Sequence, residues 1–391
     1  MSNSDGVSKT RVLVAGSDGI ATRSFLELLR KQNGLSLALT DADDSKDADW
    51  YFSRDVKNLP LYSTGVRRFR GVRIIGGVSR LLSLVGRYRT SEPMDILHIQ
   101  GMWPETLLLL DVSGLKAKHI ICSFWGSDLL RMNNAFKPLV RRWLEKADAI
   151  TVQNRVTMKS AFQRIWGDTY DDKLHGVLYD VENREIDNLV FKMDGSEAKR
   201  CLGVDDSKYT IAIGYNANPN MHHLEVLRQL SKLPLDTLDK IHLIFPFTYP
   251  RGNDEYRETI KQFVEDMPCT ATYFEGWLKE DEVALMRLAC DMLVHAQTSD
   301  AASASVIEFL KAGASLVNAG WIDYRELRDL GVTYREFSSF EQLPEIIAQQ
   351  MNDCEALDAS RRNREILLAR DERALSRDAW ISIYNELGWN G

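Results

Sequence analysis

The sequence has no apolar run long enough to cross a bilayer. Its longest apolar stretches, such as residues 12–16 and 107–110, fall far short of the ~20 residues that a membrane helix needs. The N-terminal residues are polar and lead into a short strand, so they match neither the apolar core nor the cleavage site of a signal peptide. We therefore expect a cytoplasmic protein that does not span a membrane.

Cysteine and proline are also scarce. The five cysteines are widely spread, odd in number and without CxxC spacing, which argues against a disulfide framework and against a zinc site. Ten prolines and no low-complexity tract accompany 44% hydrophobic and 27% charged residues, the composition of a folded protein. A length of 391 residues accommodates two or three domains.

Acidic residues are absent from one basic stretch. Seven arginines and no acid lie between Gly65 and Ser91, although the chain as a whole has a net charge of −7. Such a local excess is a candidate footprint for an anionic partner. We predict peripheral docking on the anionic inner face of the cell membrane; a solvated or acceptor-glycan surface is the alternative. The predicted docking residues are Arg67, Arg68, Arg70 and Arg73.

Short apolar runs alternate with amphipathic segments along the chain, and a polar region from about Asp168 to Asp206 interrupts them. Strands that alternate with helices indicate mostly parallel sheets, so we predict an α/β protein with two Rossmann-like domains. We place these domains at residues 1–190 and 191–375, with a C-terminal helix at 376–391 that returns to the first domain. Ligands are expected at the carboxyl ends of the strands, in an interdomain cleft.

The most informative segment is residues 291–320, where a buried strand is followed by a loop of small residues and then a helix. Ser303, Ala304 and Ser305 predict a diphosphate cradle, because small side chains let backbone amides approach a phosphate and the helix dipole favours its charge. Glu308, one turn into the helix, can accept hydrogen bonds from both hydroxyls of a ribose, and Asp300 stands at the mouth of the loop. The alternative is that the serines only cap the helix and that Glu308 occupies a favourable first turn.

Turns after other strands of the second domain offer further candidates. Asparagine side chains can donate to phosphate oxygens, and arginine can grip a diphosphate through two hydrogen bonds. Ordinary turn formation and a solvated cation are the alternatives. These candidates are Gly214, Asn216, Asn218, Tyr249 and Arg251.

The order of these segments resembles that of the GT-B glycosyltransferases. Asp300-x7-Glu308, followed by EFLKAGASLVNAG, is similar to the E-x7-E pattern and helix end of glycosyltransferase family 4, with Asp in place of the first Glu. In the first domain, DILHIQGMW, CSFWGSDLL and LEKADAITVQN resemble successive strand-and-loop units of that fold. The segments FWGSDLL, IGYNANPNMHH and FPFTYPRGNDEYRETI are similar to the 4-acetamido-4,6-dideoxygalactose transferases of enterobacterial common antigen assembly.

This resemblance implies a GT-B fold and transfer of a sugar from a UDP, dTDP or GDP donor. The expected acceptor is a glycan or a polyprenyl-diphosphate-linked saccharide in bacterial surface polysaccharide assembly. We expect neither a metal nor another cofactor, and no nucleic-acid partner. Asp128 and Asp300 are the expected catalytic or sugar-orienting acids, and helix capping is the alternative for Asp128. The resemblance places the base near Trp277 and the acceptor near Gly16, Asp18, Gly19 and Trp125, the last in place of a common histidine.

Three alternatives stay open. GSDGIA at residues 16–21, with Asp41 about twenty residues later, resembles part of a dinucleotide fingerprint and would fit an NAD-dependent oxidoreductase or epimerase. The acidic stretch 41–49 could bind a metal, although clustered acids on a loop are more often a solvated surface. The chain could also be a catalytically silent GT-B partner subunit.

Overall fold

The computed structural model describes residues 9–16, 20–41, 48–61, 84–154, 156–179, 183–250, 252–301 and 303–389. The chain divides into two compact units. The first unit comprises residues 1–181 together with 372–391, and the second unit comprises residues 182–371. The boundaries expected from the sequence, 190 and 375, lie somewhat C-terminal to these.

The first unit is built on one parallel sheet. Its strands are β1 (Thr10–Ala15), β2 (Leu35–Thr40), β3 (Lys57–Leu59), β4 (Met94–Gln100), β5 (Ala117–Phe124), β6 (Ala149–Gln153) and β7 (Leu174–Val177). They pair in parallel in the order β3-β2-β1-β4-β5-β6-β7. The described helices between them are α1 (Ile20–Arg30), α2 (Ala48–Phe52), α3 (Pro104–Ser113), α4 (Ser127–Leu130), α5 (Lys137–Lys146) and α6 (Thr157–Trp166).

The second unit repeats this plan. Its strands are β8 (Tyr209–Ile213), β9 (Ile241–Phe245), β10 (Thr270–Tyr273), β11 (Met292–His295), β12 (Ser315–Ala319) and β13 (Arg335–Phe337). They are parallel in the order β10-β9-β8-β11-β12-β13. Its helices are α7 (Glu185–Leu189), α8 (Gly195–Cys201), α9 (His223–Leu230), α10 (Leu235–Leu238), α11 (Asp254–Glu265), α12 (Glu280–Leu288), α13 (Ala304–Ala312), α14 (Arg325–Asp329), α15 (Leu343–Asn352) and α16 (Cys354–Leu368).

The apolar pattern explains this architecture. Residues 12–15 of β1 and all five residues of β9 are buried, as parallel strands covered by helices on both faces require. Helix α5 buries Val140, Trp143 and Leu144, whose spacing places them on one face. The prediction of an α/β protein with two parallel sheets is confirmed. The polar region from about Asp168 to Asp206 is itself partly regular, because the short edge strand β7 and the helices α7 and α8 lie within it.

The C-terminal helix α17 (Glu372–Glu386) belongs to the first unit. Trp380, Ile383 and Tyr384 are buried in that unit's core, and the Ser376 hydroxyl donates to the Leu178 carbonyl oxygen at 2.7 Å. The spacing of these three buried side chains places them on one face of the helix.

A series of hydrogen bonds between buried polar side chains connects α17 to the first sheet. His98 on β4 lies 3.0 Å (Nδ1) from the Tyr384 hydroxyl and 2.7 Å (Nε2) from the Ser123 hydroxyl on β5. Ser123 in turn lies 2.6 Å from the Thr151 hydroxyl on β6. Burial lowers the pKa of His98 from 6.5 to about 3, so the ring is neutral at pH 7.

We expect His98→Gln to flatten the acid-induced loss of stability of the first unit. A histidine with a lowered folded-state pKa binds fewer protons when folded, so its stabilisation is complete above the unfolded pKa of about 6.5 and disappears as the pH falls toward 3. The wild-type protein should therefore lose about 1.4 kcal/mol more per pH unit than the variant in this window. Urea unfolding at several pH values measures both slopes. His119→Gln, at a side chain that is 39% exposed, is the control, and equal slopes for His98→Gln and wild type would refute the assignment.

Among the helices that the structure describes, none is both long enough and apolar enough to cross a membrane. Arg67, Arg68, Arg70 and Arg73, the predicted docking residues, lie outside the described ranges.

Candidate functional site

Loops from neighbouring strands meet at the carboxyl edge of the second sheet. Strand order reverses between β8 and β11, a point at which open α/β sheets bind ligands. The loops after these two strands touch, since the Thr298 amide donates to the Asn220 carbonyl oxygen at 2.9 Å. The loops after β8 and β9 also touch, through the Ala217 amide and the Tyr249 carbonyl oxygen at 2.7 Å. Candidates far apart in the sequence are thus brought to one edge.

The small-residue loop after β11 leads directly into α13. Ser303 is the N-cap, and its hydroxyl accepts a hydrogen bond from the Ser305 amide at 3.2 Å. Ala304 is the first helical residue. Ser303 therefore does cap the helix, as the alternative for the serines states. The positive end of the helix dipole lies at the same turn.

Glu308 lies one turn into α13 and is only 6% exposed. Its Oε1 accepts a hydrogen bond from the Asn183 amide at 3.0 Å, and its Oε2 accepts one from Arg287 Nε on α12 at 3.3 Å. Each carboxylate oxygen can accept two hydrogen bonds, so acceptor capacity remains for a ligand. A carboxylate so buried requires a cationic partner, and Arg287 supplies it.

Asp300 is the centre of a cluster of polar and aromatic groups. Its Oδ2 accepts a hydrogen bond from the Tyr324 hydroxyl at 2.6 Å and lies 3.4 Å from both the Tyr215 hydroxyl and His295 Nε2. Its Oδ1 accepts from the Ala301 amide at 2.7 Å. Burial raises the pKa of Tyr215 and of Tyr324 well above the ordinary tyrosine value, so both hydroxyls remain protonated donors.

The loop after β8 is held by its own asparagines. Asn216 Oδ1 accepts from the Asn218 amide at 2.8 Å, and Asn218 Oδ1 accepts from the Asn220 amide at 3.0 Å. Gly214 has φ +64°, and a Cβ there would lie 3.1 Å from the Met221 side chain. These residues therefore form the turn, as the alternative proposes. The side-chain amide NH₂ groups of the two asparagines are the donors that can serve a ligand.

Aromatic side chains stand at the same edge. Trp277, in the loop after β10, is 73% exposed, and the Tyr249 ring after β9 is half-exposed. Arg251 lies outside the described residues. Sequence reasoning missed Trp321, which follows β12, is half-exposed and donates from Nε1 to the Gln297 carbonyl oxygen at 2.8 Å.

In the first unit, Gly16 and Trp125 follow β1 and β5. A Cβ on Gly16 would come within 2.9 Å of the Gln100 carbonyl oxygen, so a larger residue does not fit there without a shift. The Trp125 indole stacks on Tyr179, with ring centroids 4.2 Å apart and planes 20° apart. Asp18 and Gly19 lie outside the described residues.

Asp128 holds two loops of the first unit together. Its Oδ1 accepts hydrogen bonds from the Trp125 and Gly126 amides and its Oδ2 accepts one from the Met102 amide, each at 2.9 Å. The side chain is almost fully buried; burial raises its pKa, and the three amides act in the opposite direction. The N-cap alternative was wrong, because Gly126 is the N-cap of α4 and the carboxylate of Asp128 binds amides that precede the helix.

Two further sequence hypotheses can be placed. Asp41, the ribose-binding acid of the NAD alternative, is buried, and its Oδ1 accepts a hydrogen bond from the Leu61 amide at 2.8 Å. Most of the acidic stretch considered for a metal, residues 42–47, lies outside the described ranges. Elsewhere, the described residues form no cluster of three or more His, Cys, Asp or Glu side chains arranged for a metal ion.

Neither a protein-family model nor a curated protein sequence matches this chain. Solved structures do match it. Anabaena Alr3699/HepE, crystallised with UDP and glucose, matches at a TM-score of 0.69 and 12% identity over 96% of this chain and 100% of its own. A glycosyltransferase from Rickettsia africae matches at 0.68 and 14% identity, over 98% of this chain and 100% of its own.

The chain has the GT-B fold. WaaG, a glycosyltransferase involved in lipopolysaccharide biosynthesis, is also similar, at a TM-score of 0.63 and 13% identity over 95% of this chain and 99% of its own. At such low identity the likeness is one of fold, so what the GT-B chain does must be argued from its own residues.

Proposed function

We propose that this GT-B protein is a glycosyltransferase that takes a sugar from a nucleoside-diphosphate donor. The observation that carries the proposal is the pair Asp300 and Glu308, which flank the start of α13 at the point where strand order reverses. The structures of HepE with UDP and with UDP-glucose support a nucleotide-sugar donor.

Each part of the donor has a matching group in the second unit. Glu308 accepts hydrogen bonds from the ribose hydroxyls, and the amides at the start of α13 receive the diphosphate, whose charge the helix dipole favours. The exposed Trp277 stacks on the base, and Asp300 accepts from hydroxyls of the sugar. Leaving-group charge is stabilised by preorganised donors, among which we include Asn216 and Arg251.

The acceptor is assigned to the first unit, near Gly16 and Trp125. Asp128 has its carboxylate engaged by three backbone amides, which supports a positioning role rather than contact with the sugar. We propose that the acceptor is a glycan or a lipid-linked saccharide of a bacterial surface polysaccharide. The NAD alternative is less favoured, because Asp41 is already held by the Leu61 amide.

Thermal unfolding with a panel of ligands tests the proposal. We expect UDP, dTDP or GDP to stabilise the protein, by about 2.7 kcal/mol at a hundredfold excess over Kd, and NAD to have no effect. A preference for NAD would overturn the proposal. Stabilisation by a sugar nucleotide that is never turned over with any acceptor would instead indicate a silent partner subunit.

Turnover is expected to survive chelation. If protein groups stabilise the leaving diphosphate, EDTA should leave the rate unchanged. The control is a parallel assay with added Mn²⁺ or Mg²⁺. Complete loss in EDTA with rescue by either ion would identify a metal-dependent reaction and direct attention to residues 41–49.

We also propose that the arginine-rich stretch docks the enzyme where a lipid-linked acceptor is presented. At about 1 kcal/mol per basic residue near an anionic surface, three or four arginines give reversible, salt-sensitive binding. The protein should sediment with anionic vesicles at low salt and be released at high salt. Replacing Arg67, Arg68, Arg70 and Arg73 by Gln should reduce sedimentation, whereas replacing them by Lys should preserve it. Equal sedimentation with neutral vesicles would contradict this role.

A further inference from the structure

The two carboxylates of the candidate donor site present an electrostatic problem. Asp300 and Glu308 flank the start of α13, where the proposed donor places a diphosphate. Like charges repel strongly where water is excluded, so two uncompensated carboxylates would oppose binding of that group. The positive charges that offset them must come from side chains nearby.

For Glu308 the compensating charge is Arg287. The two side chains are 5% and 8% exposed and meet at 3.3 Å, and the guanidinium lies 4.1 Å from the centre of the Phe309 ring. Arginine is always charged in proteins, so this carboxylate is neutralised before any ligand arrives.

For Asp300 the group in the equivalent position is His295. The Asn318 side-chain nitrogen donates to the carbonyl oxygens of Ala319 and Ile322, which orients its Oδ1 toward His295 Nδ1 at 3.0 Å. Nδ1 must therefore carry a proton, because it faces an acceptor. The other ring nitrogen, Nε2, lies 3.4 Å from Asp300 Oδ2, within ion-pair distance, and is a buried nitrogen that makes no hydrogen bond with any described residue.

With Nδ1 protonated, a neutral His295 would place the lone pair of Nε2, buried and without another partner in the described part of the chain, within 3.4 Å of a carboxylate oxygen. That contact is repulsive unless a second proton lies between the two groups. The imidazole is fully buried and stacks with the rings of Tyr215 and Tyr324, whose centroids are 5.6 and 5.8 Å away and whose planes are tilted by 24° and 18°. Aromatic faces at this distance attract a cation, which favours placing the proton on the imidazole.

We propose that His295 is an imidazolium that neutralises Asp300, as Arg287 neutralises Glu308, and that the acid-x7-acid site thereby accepts a diphosphate. The inference rests on the proposed function and adds His295 to it as a positioning residue. Its role is to set the charge that the ligand meets, and it makes no contact with the reacting atoms.

A comparison of a charged and an uncharged ligand distinguishes this electrostatic role of His295 from a purely structural one. His295→Gln keeps a donor in place but removes the positive charge, so affinity for UDP should fall about tenfold, a change of about 1.4 kcal/mol. Affinity for uridine, which lacks the diphosphate, should stay within about twofold. The double variant H295Q/D300N removes both charges and should recover most of the affinity for UDP. UDP lacks the transferred sugar, so the loss of a contact between that sugar and Asp300 does not enter the comparison.

A second measurement needs no nucleotide and uses the wild-type protein. With ¹⁵N-labelled histidine, the ring nitrogens of His295, assigned as the signals that persist when each of the other histidines is replaced by Gln in turn, should both show the shifts of a protonated imidazole at pH 7. A neutral ring would overturn the inference even if His295→Gln fails to fold. Equal losses for UDP and uridine, or no recovery in the double variant, would overturn it as well. If the wild-type protein binds no nucleotide, the proposed function fails while the charge of His295 is still decided by the ring shifts.

Discussion

Replacing Glu308 with glutamine is expected to weaken nucleotide binding by roughly ten- to a hundredfold while the protein stays folded. A charge-assisted hydrogen bond contributes about 1.5–3 kcal/mol, and the variant loses the charge that strengthens the bonds to the ribose hydroxyls. Glutamine keeps an oxygen that can still accept from the Asn183 amide. Titration calorimetry with UDP measures the change directly.

The choice of glutamine over alanine follows from Arg287. Either change leaves that guanidinium buried without a carboxylate, which costs about 3–5 kcal/mol, but glutamine keeps the side-chain volume and one acceptor oxygen, so a binding defect is less easily confused with a folding defect. Glu255→Gln, at an exposed residue of α11, is the matched control. Unchanged UDP affinity in Glu308→Gln would contradict the proposal that Glu308 binds the ribose hydroxyls.

Where local sequence determines the structure, the sequence predicts it well. The strand ending at residue 295, the loop of small residues and the helix from Ala304 all follow from an apolar run, from turn chemistry and from helix start signals that act over a few residues. The edge strands β3, β7 and β13 have three or four residues each and, unlike the equally short β11, contain no continuous buried apolar run that would mark them as strands.

The partners of the site residues could not be found in the same way. Arg287 and Glu308 are 21 residues apart in the sequence, and His295 on β11 contacts Asn318 on the adjacent strand β12. In the sequence, His295 stands at the end of an apolar run and Arg287 among leucines, where each resembles an ordinary part of the core. An ionisable residue inside a buried element is the signal that would have identified them.

The mistaken capping role of Asp128 has the same origin. An acid just before an apolar segment predicts an N-cap, and that pattern carries no information about Met102, whose amide is 26 residues away. Only the parallel pairing of β4 and β5 brings the two loops together.

Removal of the Asp128 carboxylate is expected to destabilise the first unit strongly. Asp128→Ala leaves three backbone amides without their acceptor in a place where the side chain is only 3% exposed. Each unsatisfied buried donor costs about 1–3 kcal/mol, so the total loss should be about 3 kcal/mol or more. For a unit of this size that corresponds to a fall in Tm of roughly 6–12 °C. Calorimetry measures it, and Asp168→Ala, at an exposed residue of the same unit, is the control.

Asp128→Asn distinguishes a loop-positioning carboxylate from one that contacts substrate. The amide oxygen can still accept from the Trp125 and Gly126 amides, but the new NH₂ group then faces the Met102 amide, donor against donor. A positioning role predicts a loss of stability smaller than that of alanine, and turnover that falls only as the loop around Trp125 loosens, seen first in the KM for acceptor. If the carboxylate instead orients the sugar or takes the acceptor proton, the asparagine variant should unfold like the wild-type protein and yet lose nearly all of its kcat. That outcome would support the catalytic role that the sequence predicts for Asp128. An unchanged Tm would mean that the hydrogen bonds from the three backbone amides do little to hold the loops.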